Sequence, residues 1–119
     1  CWAHLKRDFQ ALIDSPCRTR KRLGHALMRQ TEALFALWQR VRDGTLSRRT
    51  FRLHMQPIRQ KVGALLLSGY FHWKTQNVCK ELWKHREHLW RFVDVAGVEP
   101  TNNAAERALR HAVIWRKLS

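Results

Sequence analysis

The chain has 119 residues, the length of one ordinary domain with a single core, and carries 23 Lys and Arg against 9 Asp and Glu, a formal net charge of +14. Such a balance disfavours a neutral scaffold and attracts polyanions, nucleic acid first and an anionic membrane surface second. No apolar run approaches the roughly 20 residues needed to cross a bilayer, no signal-peptide pattern opens the chain, and Cys1, Cys17 and Cys79 are too few and scattered for a disulfide framework, so reduced thiols in a cytoplasm are expected.

Residues 1–5, Cys-Trp-Ala-His-Leu, are short, apolar and aromatic and read as a strand leading into a helix from Lys6 to Ile13. Leu23, Leu27, Gln30, Leu34, Leu37 and Val41 follow a 4-3-4-3-4 rhythm that predicts a long amphipathic helix over about 18–43, stopped by Asp43-Gly44. Phe51, Met55, Ile58, Val62 and Leu65 repeat the rhythm behind Ser47, a natural N-cap, and end at Gly69. Pro57 should kink or restart that helix. Tyr70-Phe71-His72-Trp73 reads as an aromatic turn closing one end of a bundle. Val78, Leu82, His85, Leu89 and Phe92 then mark a third helix over 74–95, widened by Trp83 and Trp90. Short loops between the three predict an antiparallel bundle. Ala96-Gly97-Val98-Glu99-Pro100 breaks the pattern, and a last helix starts near Asn103.

Chemistry concentrates in Thr101-Asn102-Asn103-Ala104-Ala105-Glu106-Arg107-Ala108-Leu109-Arg110. Glu106 lies on the first turn of the last helix with Arg107 and Arg110 within one turn, and Arg116 and Lys117 follow. A carboxylate among arginines suits a divalent metal held beside a phosphate. The same spacing suits a capping box, Asn103 as N-cap and Glu106 reaching back to it. Cys1-x-x-His4 with His85-x-x-His88 has the donors of a zinc site but not a familiar spacing between the pairs. His85 reads better as a bundle position with a partner and His88 as a surface residue. Trp38, Trp83 and Trp90 could stack on bases, but at helical spacing they read as core. No Gly-rich phosphate loop and no nucleophile triad is present.

The opening Cys1-Trp2-Ala3-His4-Leu5-Lys6-Arg7-Asp8-Phe9 and the closing Val98-Glu99-Pro100 through Arg110, with Val113-Ile114-Trp115-Arg116-Lys117 after it, resemble the transposases of the bacterial insertion sequence sixty-six family. Two motifs in order, some 90 residues apart, are more specific than either alone. The resemblance implies a DDE transposase with a ribonuclease-H-like core that cleaves and joins DNA ends. Glu106 would be its last catalytic acid and metal ligand, for Mg2+ or Mn2+. Arg107, Arg110, Arg116, Lys117 and His4 would contact DNA, as transposon ends and target. It also implies a homo-oligomer on DNA, in the bacterial nucleoid and away from membranes.

The implied fold is mainly α. Residues 1–14 would be the last core strand and following helix, 15–95 an all-helical insertion, and 96–119 the core helix bearing Glu106. Both catalytic aspartates should lie upstream of Cys1. A chain starting there without methionine reads as a piece of a longer protein, inert alone and only partly stable where the strand and last helix lack their sheet. His111 stands where the family usually has proline. The competing readings are a stand-alone basic helical module that binds DNA or RNA without catalysis, and a helical protein-interaction domain.

Overall fold

A computed structural model describes residues 2–95 and 97–100. Six helices follow one another: α1 (Trp2–Asp14), α2 (Arg18–Arg42), α3 (Arg48–Tyr70), α4 (Gln76–Lys84), α5 (Arg86–Leu89) and α6 (Arg91–Asp94). Among the described residues there is no strand. The mainly helical expectation holds, and the ribonuclease-H-like core has no counterpart within the described stretch.

The strand expected at residues 1–5 is therefore corrected for residues 2–5, since Trp2 to Leu5 form the first turn of α1. The physical reason is a stripe that continues past them. Trp2, Leu5, Phe9 and Leu12 recur at steps of three and four and are all buried, which is one face of a helix rather than the alternation of a strand. That face packs on α2 at Gly24, where a Cβ would lie 2.8 Å from Leu12 Cβ and 2.9 Å from the Phe9 carbonyl oxygen. Glycine allows the two backbones to approach there.

Helix α2 matches its expected span closely. Its C-terminal Arg40 and Arg42 face the negative end of the helix dipole, and Gly44 takes φ +81° just beyond it. Its buried face is turned slightly from the predicted one. Leu23, Leu27, Thr31, Leu34 and Trp38 are buried, with Thr31 in place of Gln30 and Trp38 in place of Leu37. Thr31 is tolerated because its hydroxyl donates to the Leu27 carbonyl at 2.8 Å.

Helix α3 begins as predicted, with Ser47 Oγ accepting from the Thr50 backbone N–H at 3.2 Å. Pro57 does not end or restart it. The proline is exposed, so the carbonyl it leaves unbonded one turn earlier can turn to water. Phe51, Met55, Ile58, Val62 and Leu66 face the core. Trp38, Phe51 and Phe92 pack as a triangle of rings, with centroids 5.7 to 6.1 Å apart.

Two further expectations change. Of the aromatics expected to close one end of the bundle, Tyr70 packs against the core while Phe71 and Trp73 are 82% and 77% exposed. Thr75 adds a buried bond there, its hydroxyl donating to the Gly69 carbonyl at 2.6 Å. The single helix expected over 74–95 is three, broken at His85 and Trp90, whose φ, ψ of −103°, 20° and −105°, 4° lie between the helical and extended wells. Leu89, Trp90, Phe92 and Val93, around the second break, all enter the core. Trp38 and Trp90 are core as expected, and Trp83 is partly buried against it. His85 does have a partner, a ring nitrogen 3.2 Å from Glu81 Oε1, but on the surface.

Candidate functional site

The two stretches that carry the sequence motifs meet in space. Trp2 is the first described residue of α1, so its backbone N–H has no acceptor within the helix. The Pro100 carbonyl accepts it at 3.1 Å, across 98 residues of chain. The Trp2 indole N–H donates to the Leu89 carbonyl at 2.8 Å in a buried setting, and its ring lies 5.3 Å from that of Trp90. Residues 98–100 are thereby docked at the N-terminus of α1, immediately before the Thr101 to Arg110 stretch begins.

A cavity of about 450 Å3 opens at this junction, between Trp2 and Leu5 on one side and Val98, Glu99 and Pro100 on the other. His85, His88 and Arg91 stand on its wall. The His85 and His88 rings are 6.0 Å apart. Among the described residues no three His, Cys, Asp or Glu side chains are grouped to hold a metal ion. The zinc reading, which joined His4 to His85 and His88, is not supported there, and Cys1 lies outside the described residues.

Glu106, Arg107, Arg110, Arg116 and Lys117 lie outside the described residues too, as do Asn103 and His111. Of the expected DNA contacts only His4 is described. It is exposed on α1, one residue from the buried Leu5 and two from the buried Trp2.

Several basic side chains serve the fold. Arg48 donates to the Phe92 and Val93 carbonyls at 3.1 and 3.3 Å and pins α6 to the start of α3. Arg20 donates to the Lys74 carbonyl at 2.8 Å. Arg86 donates to the Trp83 carbonyl at 2.9 Å, with its guanidinium 4.6 Å from that indole. Arg59 meets the Asp94 carboxylate at 3.3 Å. Net charge alone could not separate these from cations left for a partner.

The two described thiols differ. The Arg20 backbone N–H in the first turn of α2 holds the Cys17 thiol below its ordinary value, with further help from the Thr19 N–H and the charges of Lys74 and Arg20. Burial beside Gly69 pushes Cys79 up to about 11. Neither has a base or second donor grouped with it, so neither reads as a nucleophile. No described helix is long and apolar enough to cross a membrane.

The sequence model of the transposase IS66 family matches residues 1–119, end to end. No curated protein and no solved structure matches the chain.

Proposed function

The chain belongs to the transposase IS66 family, and from that premise we propose that it is the C-terminal part of the catalytic region of a DDE transposase. The observation that carries the reading is the Asn102-Asn103-x-x-Glu106-Arg107 motif in a chain the family matches throughout. Glu106 is then the last acid of the triad. It acts with two aspartates from upstream of residue 1, and Arg107, Arg110, Arg116 and Lys117 lie against DNA phosphates. The helical stretch within 15–95 is the insertion between core elements, and the bond from Trp2 to Pro100 joins segments that flank it on either side.

The donor set fits a hard cation only in part, because the described residues hold no metal-binding group and a single carboxylate at Glu106 cannot hold two ions. Glu106 would serve as one oxygen ligand of Mg2+ or Mn2+, completed by the upstream aspartates. When bound, such ions would activate a water or 3′-hydroxyl and stabilise the leaving oxygen of an in-line phosphoryl transfer. Without those aspartates the present residues bind DNA and do not cut it.

The burial of Trp2, Leu5, Phe9 and Leu12 within the bundle favours a second reading, a basic helical module that binds nucleic acid without catalysis, since α1 needs no sheet to cover it. Glu106→Gln in the full-length transposase separates the two. Glutamine serves equally in a capping box but lacks the charge a metal needs. Stability should change by well under the roughly 1 kcal/mol of a lost cap, while end cleavage and strand transfer fall by orders of magnitude. Normal transposition by the variant would make Glu106 a cap and the catalytic reading wrong.

A further inference from the structure

We propose that the groove between α2 and α3 is a track for the sugar-phosphate backbone of duplex DNA, held by Arg18, Arg22, Arg29 and Lys61. The choice of DNA as occupant rests on the transposase reading above. The track itself rests on the geometry and charge of these two helices.

Two adjoining hollows of about 320 and 330 Å3 form the groove. Both are lined by Ala26 of α2 and Leu65 of α3, so they are one continuous depression. Arg18, Arg22, Ala26 and Arg29 recur at steps of four, four and three and therefore share one face of α2. Lys61, Leu65 and Ser68 of α3 form the facing wall, and His72 in the turn beyond α3 closes its end. The floor at Ala26 is small, so a strand can settle between charged walls. Arg18 to Arg29 spans 11 residues of helix, roughly 16 Å at about 1.5 Å per residue. That length covers only a few successive phosphates along one DNA strand.

Charge points the same way. Helix α3 contains no Asp or Glu between residues 48 and 70, and α2 has none before Glu32. No acidic side chain lines the groove. Arg18, Arg22, Arg29 and Lys61 are exposed, and none makes a hydrogen bond, ion pair or ring contact among the described residues. Arg20, Arg48, Arg59 and Arg86 are all engaged by the protein itself. The four groove cations therefore repel one another without compensation, a cost that a polyanion lying between them removes. Ser68 and His72 add polar groups of the kind that accompany phosphate contacts. A bilayer surface is flat and cannot follow a concave track, which favours the curved backbone of a duplex.

The test uses the whole chain carrying Arg22→Ala, Arg29→Ala and Lys61→Ala, beside a control carrying Arg42→Ala, Lys80→Ala and Lys84→Ala. The control removes the same charge from exposed positions off the groove. Binding to a short DNA duplex is followed by fluorescence anisotropy over a salt series, with thermal unfolding of each variant. The groove variant should lose more than about tenfold in affinity at low salt, and its log-log salt slope should flatten by about 2.7, or 0.9 for each contact removed. The control should change far less. Equal losses in both variants would overturn the track, leaving a diffuse attraction by net charge. Equally tight, groove-dependent binding to vesicles of anionic phospholipid would also overturn it, in favour of a general polyanion surface. If the alanine variant unfolds, Arg22→Gln, Arg29→Gln and Lys61→Gln keep the side-chain bulk and answer the same question. A groove-dependent salt slope together with normal transposition by Glu106→Gln would support the track and sink the catalytic reading. Failure of the track with an inactive Glu106→Gln would do the reverse.

Discussion

The Trp2 indole N–H donates to the Leu89 carbonyl at 2.8 Å, joining residues 87 apart in sequence at a buried point. Leu89 ends α5 just before the break at Trp90, so its carbonyl has lost the helical partner it would otherwise have. Trp2 also gives its backbone N–H to the Pro100 carbonyl. One tryptophan thus completes the hydrogen bonding of a helix end and holds the approach to the Glu106 motif.

Trp2→Phe should therefore destabilise the chain by about 1–3 kcal/mol, the cost of leaving a buried carbonyl unsatisfied, and Trp2→Ala by about 3–5 kcal/mol through the added cavity. Urea unfolding measures both. A Phe variant as stable as the parent would mean that the bond contributes nothing.

Two of the helical glycines, at 24 and 63, should respond in opposite directions to alanine. At Gly24 the new methyl meets backbone atoms of α1 at 2.9 Å, so α1 must move off α2 at a cost of about 1–3 kcal/mol. At Gly63 nothing lies within 4 Å, and the gain in helix propensity, up to about 1 kcal/mol, is expected in full. Thermal unfolding of the two variants should move Tm down for the first and up for the second. A rise in both would show that the α1–α2 contact is looser than described.

Cys79 should make stability fall at alkaline pH. Burial raises its pKa to about 11 in the folded chain, while the unfolded thiol titrates near about 8.5. Between those values the unfolded chain has released a proton that the folded chain still holds, so stability is full below the lower value and drops as pH rises toward the upper one. Cys79→Ala should flatten the slope of stability against pH across that window, whatever its cost at neutral pH. An unchanged slope would remove the thiol as its source. Peptide mapping after brief alkylation at neutral pH should find Cys17 modified well before Cys79, since only Cys17 is partly exposed and held toward the thiolate.

Ser47→Ala should cost about 1 kcal/mol, because its hydroxyl is the acceptor for the Thr50 N–H at the start of α3. Ser47→Asp should recover that loss and add a favourable charge at the positive end of the helix dipole, in a first turn that otherwise holds only basic charges. Chemical denaturation of the three forms checks the order. An Asp variant no better than Ala would mean that the side chain does not cap.

Local signals with a physical cause were legible in the chain itself. The span of α2, its stop at Asp43-Gly44 and the Ser47 cap follow from spacing, left-handed backbone at Gly44 and an orphan N–H, none of which needs a distant residue. The opening Cys1 to Phe9 and the closing Val98 to Arg110, with Val113 to Lys117 after it, are likewise properties of the chain, and they were enough to point to the family that matches it from residue 1 to 119. Other features depended on partners far along the chain. Residues 2–5 look like a strand when read alone, and become helix because Trp2 and Leu5 continue the buried stripe of Phe9 and Leu12 onto α2. The stretch over 74–95 reads as one helix, but the backbone leaves the helical well at His85 and Trp90, a change the apolar spacing does not record. Pro57 reads as an interruption, and is carried because it faces water. The groove of Arg18, Arg22, Arg29 and Lys61 exists only once α2 and α3 lie side by side, since a sequence records how many cations a chain has, and packing decides which of them the protein keeps for itself.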